Sequence, residues 1–155
     1  MPTKASHKPA GTKSKNVSTF VLDGSVTLAW FFEDEISAYA EAVENSLEHA
    51  KAVVPSLWPL EVANTLIMGE RRGRTTEGKA AQFVSLLTEL PITVDEQSIT
   101  AHAFGPIMAL ARAHRLSAYD AAYLELALRW ELPLATLDKK MQSAAVAAGV
   151  KIYKP

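Results

Sequence analysis

Four acidic side chains in this 155-residue sequence occupy positions from which they could form one metal site: Asp23, Glu61, Asp120 and Asp138. Carboxylates within about 4 to 6 Å of one another repel and raise each other's pKa. A divalent cation relieves that repulsion, and ligands that are all oxygen suit Mg²⁺ or Mn²⁺ better than zinc. Such an ion makes a bound water nucleophilic at neutral pH and stabilises charge on a phosphate. If the four converge, the sequence predicts metal-dependent phosphodiester hydrolysis, with no histidine or lysine base required.

Alternating strands and helices would have to bring these residues together. Short apolar strands are predicted at residues 19–22, 51–54, 92–94, 134–136 and 150–153. Helices are predicted at residues 37–50, 57–69, 75–90, 97–114 and 117–130, with a last one from residue 138 towards residue 149. This order predicts an α/β fold, a single domain with a central, mostly parallel sheet of about five strands flanked by helices.

The predicted sheet brings three of the four acids to one edge. In a parallel sheet the strand carboxyl ends and the following helix starts share an edge, where such folds bind ligands. Asp23 follows the first strand, Asp138 follows the fourth, and Glu61 lies early in the helix after the second. Asp120 begins a helix that follows another helix, so the order of elements alone does not place it there.

Each acid also has a simpler structural explanation. Acids are common at helix starts because they cap free N–H groups and interact favourably with the helix dipole. Asp120 forms an S-x-x-D arrangement with Ser117, Asp138 could be an N-cap, and Asp23 could close an Asx-turn. Glu61 fits this explanation least well, since its neighbours are apolar and a buried carboxylate needs a partner. For any single acid except Glu61, capping is the stronger interpretation.

Composition excludes several other classes of protein. The sequence has no cysteine, its four histidines lack metal-binding spacing, and no apolar run approaches the ~18 residues of a membrane helix. Residues 1–18 are predicted to be a flexible basic tail, and residues 19–155 the domain. With four lysines in the tail, the domain keeps 12 basic against 17 acidic residues, so a broad basic face is not expected. Without a secretory signal, we expect a cytoplasmic protein that does not enter a membrane.

Four segments of the sequence resemble the signature segments of PIN-domain proteins, and most closely those of VapC-like toxins. In order, they read VLDGSVTLAWFFEDE, VPSLWPLEVANTL, LSAYDAAYLELAL and LPLATLDKKMQSAA. The resemblance implies that Asp23, Glu61, Asp120 and Asp138 bind Mg²⁺ or Mn²⁺. It also implies that the Asp120 helix points its N-terminus at the site. Ser25 and Thr136 resemble hydroxyl positions that orient carboxylates or waters near the metal, although a capping serine and a strand threonine explain them equally well.

Other polar residues are weaker candidates for the site. Asn64 follows Glu61 by three residues and could share its helix face, although a solvated polar residue is the commoner case. Cations that could offset phosphate repulsion cluster after that helix and beside Asp138: Arg71, Arg72, Arg74, Lys139 and Lys140. We regard these five as candidate RNA contacts, though each alone reads as an ordinary surface cation.

The resemblance implies an endoribonuclease of VapC type that cuts single-stranded or loop RNA. It further implies a homodimer, and a cognate antitoxin protein that covers the acidic site. Two alternatives remain: a PIN-domain nuclease for RNA processing or DNA cleavage, and a non-catalytic regulatory domain with an acidic pocket, such as a response-regulator receiver. A receiver needs paired acids after its first strand, and Asp23 is followed by Gly24.

Overall fold

Four parallel strands form the sheet of this protein, in a computed structural model that describes residues 17–155 except the side chain of Ser98. The strands are β1 Ser18–Leu22, β2 Ala50–Pro55, β3 Ile92–Asp95 and β4 Leu134–Ala135, in the spatial order β3-β2-β1-β4. The predicted tail lies outside the described residues, apart from Val17 and Ser18, and Ser18 already belongs to β1. The predicted α/β architecture is confirmed.

The described chain has eight α-helices, of which seven connect the strands and the eighth follows β4. They are α1 Gly24–Ala29, α2 Ala38–Ser46, α3 Trp58–Arg71, α4 Glu77–Glu89, α5 Gln97–His102, α6 Met108–His114, α7 Ala118–Arg129 and α8 Lys139–Ala147. Hydroxyls of Ser37, Thr76 and Ser117 cap three of them by accepting a hydrogen bond from the N–H three residues on. None of the described helices has the length and apolar character needed to cross a membrane.

Two predicted elements differ from the observed ones. The fifth strand is a single parallel bridge between Leu134 and Ile152, so four strands are assigned and not five. The long helix predicted at residues 97–114 is interrupted by a π-helical segment at Ala103–Ile107, which contains Pro106. Proline has no N–H to donate and its ring crowds the preceding turn, so a regular α-helix is not maintained there.

Burial of α7 against the sheet fixes the position of the Asp120 segment. Phe20, Val21 and Leu22 of β1 are fully buried, as expected for a central parallel strand covered on both faces. Residues 121–127 of α7 are all buried, including Glu125. Arg129 pairs with the buried carboxylates of Glu125 and of Asp95, at the carboxyl end of β3. These ion pairs join the end of α7 to the edge of the sheet.

Removing Arg129 should destabilise the fold strongly. Arg129→Met leaves two buried carboxylates without their cation, and breaking a buried pair costs about 3 to 5 kcal/mol. Because the Arg129 side chain is 24% exposed, we expect the lower end, about 3 kcal/mol, in urea denaturation. Arg112→Met, at an exposed position on α6, is the matched control and should change stability by less than about 0.5 kcal/mol. Equal stability of the two variants would contradict this role.

Candidate active site

The carboxyl edge of the sheet carries the first and last of the predicted acids. Asp23 follows β1 directly, and its N–H donates to the carbonyl of Ala135 in the neighbouring strand β4 at 3.0 Å. Asp138 is the N-cap of α8, three residues after the end of β4. Because β1 and β4 are hydrogen-bonded neighbours, these two acids leave the sheet side by side. Glu61 and Asp120 lie in the first turns of α3 and α7.

Asp23 is held by two hydroxyl groups. The side chains of Ser25 and Thr136 both donate to Asp23 Oδ2 at 2.7 Å, and Thr136 is fully buried. The same two oxygens accept hydrogen bonds from the backbone N–H groups of Leu137 and Asp138, each at 3.1 Å. Each hydroxyl thus accepts one hydrogen bond from the backbone and donates its own hydrogen to Asp23. One oxygen of Asp23 is therefore fixed, and Oδ1 takes no part in these hydrogen bonds.

Capping explains only one of the acids. Asp138 Oδ1 accepts from the N–H groups of Lys140 and Met141 at 2.8 and 3.0 Å, so it caps α8. Asp23 stands at the N-cap position of α1 but makes no capping hydrogen bond with its side chain. At α7 the cap is Ser117, whose hydroxyl accepts from the N–H of Asp120 at 3.1 Å. The carboxylate of Asp23 is thus free of the structural role that the sequence allowed it, whereas Asp120 keeps an interaction with the Ser117 side chain, which lowers the pKa of Asp120.

Glu61 has a partner that the sequence interpretation missed. The hydroxyl of Tyr123 donates to Glu61 Oε1 at 2.7 Å, across 62 positions of the chain. One signal in the sequence could have indicated Tyr123 as a site residue: it follows Asp120 by three residues, about one turn along α7. Glu61 is half-buried, so this contact supplies the partner that its apolar surroundings required.

Electrostatic coupling links the four carboxylates. Burial raises the pKa of Asp23, and the charges of Asp120 and Asp138 raise it further, while hydrogen bonds from Ser25 and Thr136 oppose the shift. Burial also raises the pKa of Glu61, with added repulsion from Asp23 and Asp120 and an opposing hydrogen bond from Tyr123. For Asp120, burial and then Asp138 raise the pKa, while a hydrogen bond with the Ser117 side chain and the Lys140 charge lower it. Each of the four acids therefore lies within electrostatic reach of at least two of the others.

The donor set suits a hard divalent cation in its chemistry. All four side chains offer carboxylate oxygens, and repulsion among them is what a cation would remove. Within residues 17–155, however, no three acidic or histidine side chains are already arranged around a common point. Mg²⁺ commonly keeps several waters and needs only one or two direct carboxylates, so a preformed cage is not required.

The remaining predicted positions lie at different distances from this edge. Lys139 and Lys140 are exposed in the first turn of α8, and Asn64 is exposed on α3. Arg71 and Arg72 are exposed at the far end of α3, about 15 Å along the helix from Glu61 at a rise of about 1.5 Å per residue.

Arg74 is engaged within the protein itself. Its guanidinium donates to Asp34 at 2.9 and 3.0 Å and to Glu35 at 3.1 Å, and it lies 4.1 Å from the centre of the Phe32 ring. These contacts occupy the cation and place it with the segment after α1. We therefore leave Arg74 out of the RNA contacts proposed below.

Comparison with known proteins identifies the family of this chain. The sequence model of the PIN domain matches residues 20–147. The chain therefore belongs to the PIN-domain family, as the four segments predicted. Over 125 residues it is 30% identical to Ribonuclease VapC3 of Pyrobaculum aerophilum, an alignment that spans 78% of this chain and 90% of that protein.

A solved structure shares the fold. The crystal structure of PAE2754 from Pyrobaculum aerophilum matches with a TM-score of 0.61, covering 83% of this chain and 86% of the other. The sequences are 20% identical over this match, so it supports the architecture alone.

Replacing Asp23 should stabilise the metal-free protein at neutral pH. Burial raises the pKa of folded Asp23, so its contribution to stability is complete below the ordinary carboxyl pKa and is lost as pH rises through the raised value. Asp23→Asn does not titrate and keeps an oxygen for both hydroxyls. In calorimetry with EDTA, its melting temperature should exceed that of the wild type at about pH 7, by about 2 to 4 °C per kcal/mol.

The pH dependence of this difference provides the control. The gap between Asp23→Asn and wild type should close as pH falls below about 4, where the wild-type carboxyl is protonated in both states. Glu89→Gln, at an exposed position on α4, should show no such trend. A variant that is less stable than wild type at every pH would contradict the proposed burial of charge at Asp23.

Proposed function

We propose that this protein is a VapC-type endoribonuclease that hydrolyses phosphodiester bonds of single-stranded or loop RNA with Mg²⁺ or Mn²⁺. The observation that carries the proposal is the set of four coupled carboxylates, Asp23, Glu61, Asp120 and Asp138, at the carboxyl edge of a PIN-domain sheet. The name of the relative, Ribonuclease VapC3, supports RNA as the substrate.

The carboxylates would hold the ion, and their neighbours would hold the carboxylates. Bound Mg²⁺ or Mn²⁺ supplies a nucleophilic water and stabilises the charge that develops during phosphodiester hydrolysis. Asp23 presents Oδ1 while Ser25 and Thr136 fix Oδ2. Thr136 also accepts the N–H of Asp138, so one hydroxyl sets the positions of two acids. Asn64 is the remaining polar residue that we place near Glu61, as a contact for water or substrate.

The substrate phosphates would need positive charge beside this acidic site. Lys139 and Lys140 provide it in the first turn of α8, where the helix N-terminus itself favours anions. Lys140 is close enough to lower the pKa of Asp120. Arg71 and Arg72, on the far end of α3, are proposed as more distant RNA contacts.

Partners and location follow from the family resemblance. We propose a cytoplasmic homodimer that a cognate antitoxin neutralises by covering the carboxylates. An arginine from such a partner would form charge-assisted hydrogen bonds with the acids, the strongest kind available to an uncovered carboxylate cluster.

Asp23→Asn should abolish RNA cleavage while the fold is retained. It removes a negative ligand, and loss of even an outer-shell partner commonly reduces metal affinity or activity about 10- to 100-fold, so we expect a loss greater than about 100-fold. Activity is measured on a fluorescent single-stranded RNA with and without Mg²⁺, with Glu89→Gln as the control that retains activity. Undiminished cleavage by Asp23→Asn would refute the metal site. Cleavage of DNA in place of RNA, or no arrest of growth on expression, would favour a different PIN-domain function.

Removing Lys139 and Lys140 should weaken RNA binding in a salt-dependent way. Each phosphate contact to a single strand contributes a slope of about −0.7 to the plot of log affinity against log salt. The slope for the Lys139→Ala/Lys140→Ala variant should therefore be shallower than that of the wild type by about 1.4. Binding is measured by fluorescence anisotropy with Ca²⁺ in place of Mg²⁺. The control, Lys51→Ala/Lys151→Ala, removes two exposed lysines away from the carboxyl edge: Lys51 lies near the start of β2, and Lys151 directly precedes the bridge with the first residue of β4. Equal slopes for the two variants would place the RNA elsewhere.

A further inference from the structure

A single buried tyrosine contacts the carboxylate of Glu61. Tyr123 is 1% exposed and belongs to the hydrophobic core. Its hydroxyl donates to Glu61 Oε1 at 2.7 Å, within the range expected for a hydrogen bond from a hydroxyl to a carboxylate. Filling the core requires only the ring, so phenylalanine would serve equally well there. The hydroxyl is the part of this residue that packing does not explain.

The hydroxyl of Tyr123 also lies against the backbone that follows Asp23. A Cβ atom built on Gly24 would lie 3.6 Å from the Tyr123 hydroxyl oxygen, and the hydroxyl interacts with the Gly24 backbone. Gly24 is the next residue after Asp23. The tyrosine thus bridges one acid of the site and the chain segment that carries another.

The other acids are held by different means. Asp23 is fixed by two hydroxyls, and Asp138 by two backbone N–H groups. At Glu61, the start of α3 is tied to α1 by a hydrogen bond from Trp58 Nε1 to Thr27 Oγ1 at 3.1 Å. That contact fixes the helix but not the glutamate, whose side chain has three rotatable torsions. Among the described residues, Tyr123 is the hydrogen-bond donor to its carboxylate.

We propose that Tyr123 is a positioning residue that orients the carboxylate of Glu61 towards Asp23 and so sets the affinity of the site for a divalent cation. This inference rests on the proposed function, because it assigns Glu61 to that metal site. Tyr123 acts through Glu61 and does not itself touch the ion or the RNA. Without the hydroxyl, Glu61 samples several rotamers, and ion binding must then select one of them.

The hydroxyl remains a hydrogen-bond donor throughout the working pH range. Burial raises the pKa of Tyr123 well above its usual value, and the nearby charges of Glu61 and Asp23 add to that effect. A tyrosine that stays protonated cannot act as a base here. Its chemical contribution is limited to the hydrogen bond that it donates.

Tyr123→Phe tests this role with the ring retained. Mn²⁺ affinity of the full-length protein without RNA, measured by titration calorimetry, should fall about 10- to 100-fold, the usual loss when an outer-shell partner of a metal ligand is removed. RNA cleavage should require correspondingly more Mg²⁺, with KM for RNA unchanged at saturating metal. Tyr119→Phe is the matched control on the same helix, since Tyr119 is 67% exposed, and it should behave as wild type.

A double variant separates positioning through Glu61 from a general structural effect. In a Glu61→Ala background, adding Tyr123→Phe should weaken Mn²⁺ binding no further, because the carboxylate that Tyr123 orients has already been removed. A second loss of similar size, or wild-type Mn²⁺ affinity in Tyr123→Phe alone, would overturn the inference.

If Tyr123→Phe does not fold, Mn²⁺-free wild type titrated with Mg²⁺ should give a near-ultraviolet tyrosine difference spectrum that persists in Tyr119→Phe. Its absence would also overturn the inference.

The same measurements distinguish this inference from the proposed function. Wild-type protein that binds Mn²⁺ but cleaves no RNA would contradict the proposed activity, and the Mn²⁺ comparison would still decide the role of Tyr123. Wild-type protein that binds no Mn²⁺ would overturn both. Normal cleavage together with unchanged metal affinity in Tyr123→Phe would overturn the positioning role alone.

Discussion

Repulsion among carboxylates that are buried or half-buried, at one edge of a small parallel sheet, is the constraint on which this structure depends. Burial raises the pKa of Asp23, Glu61 and Asp120, and their mutual charges add to the effect. Such an arrangement is unfavourable in isolation and is maintained only because the surrounding fold fixes it. The core supplies that rigidity, since most residues of β2 and β4, the second half of β1 and the central turns of α7 are buried. The buried core thus stabilises the fold, and the repulsion among the site carboxylates destabilises it, as is common at functional sites.

Neutral hydrogen-bond donors and backbone groups hold the site in place of cations. Ser25, Thr136 and Tyr123 donate hydroxyl hydrogens to Asp23 and Glu61, and backbone N–H groups bind Asp138. An arginine in contact with these acids would neutralise them and compete with an ion. The two arginines that form ion pairs in the described residues bind acids outside the site: Arg74 pairs with Asp34 and Glu35, and Arg129 pairs with Asp95 and Glu125. The carboxylates are thereby left available for a metal ion.

Sequence patterns were sufficient for most of the fold and failed where local rules compete with packing. The parallel strands and their intervening helices were correctly predicted, because buried apolar strands and amphipathic helices have distinct periodicities. The last strand was overestimated, since the apolar run after Gly149 contacts β4 through a single bridge. The helix at residues 97–114 was predicted as continuous, although Pro106 introduces a π-helical segment into it. The number of strands depends on backbone pairing, and the continuity of a helix depends on backbone strain. Hydrophobic spacing predicts neither.

The sequence by itself determined which side chains could bind a metal and the edge at which three of them emerge. Strand ends and helix starts are set locally, so Asp23, Glu61 and Asp138 could be placed from the order of elements. The position of Asp120 depended on how α7 packs, which only the tertiary structure decided. The same packing brought Tyr123 to Glu61, and the pairing of β4 with β1 brought Thr136 to Asp23, contacts between residues 62 and 113 positions apart. Contacts of that kind arise from the docking of whole helices and strands, and no local pattern encodes them.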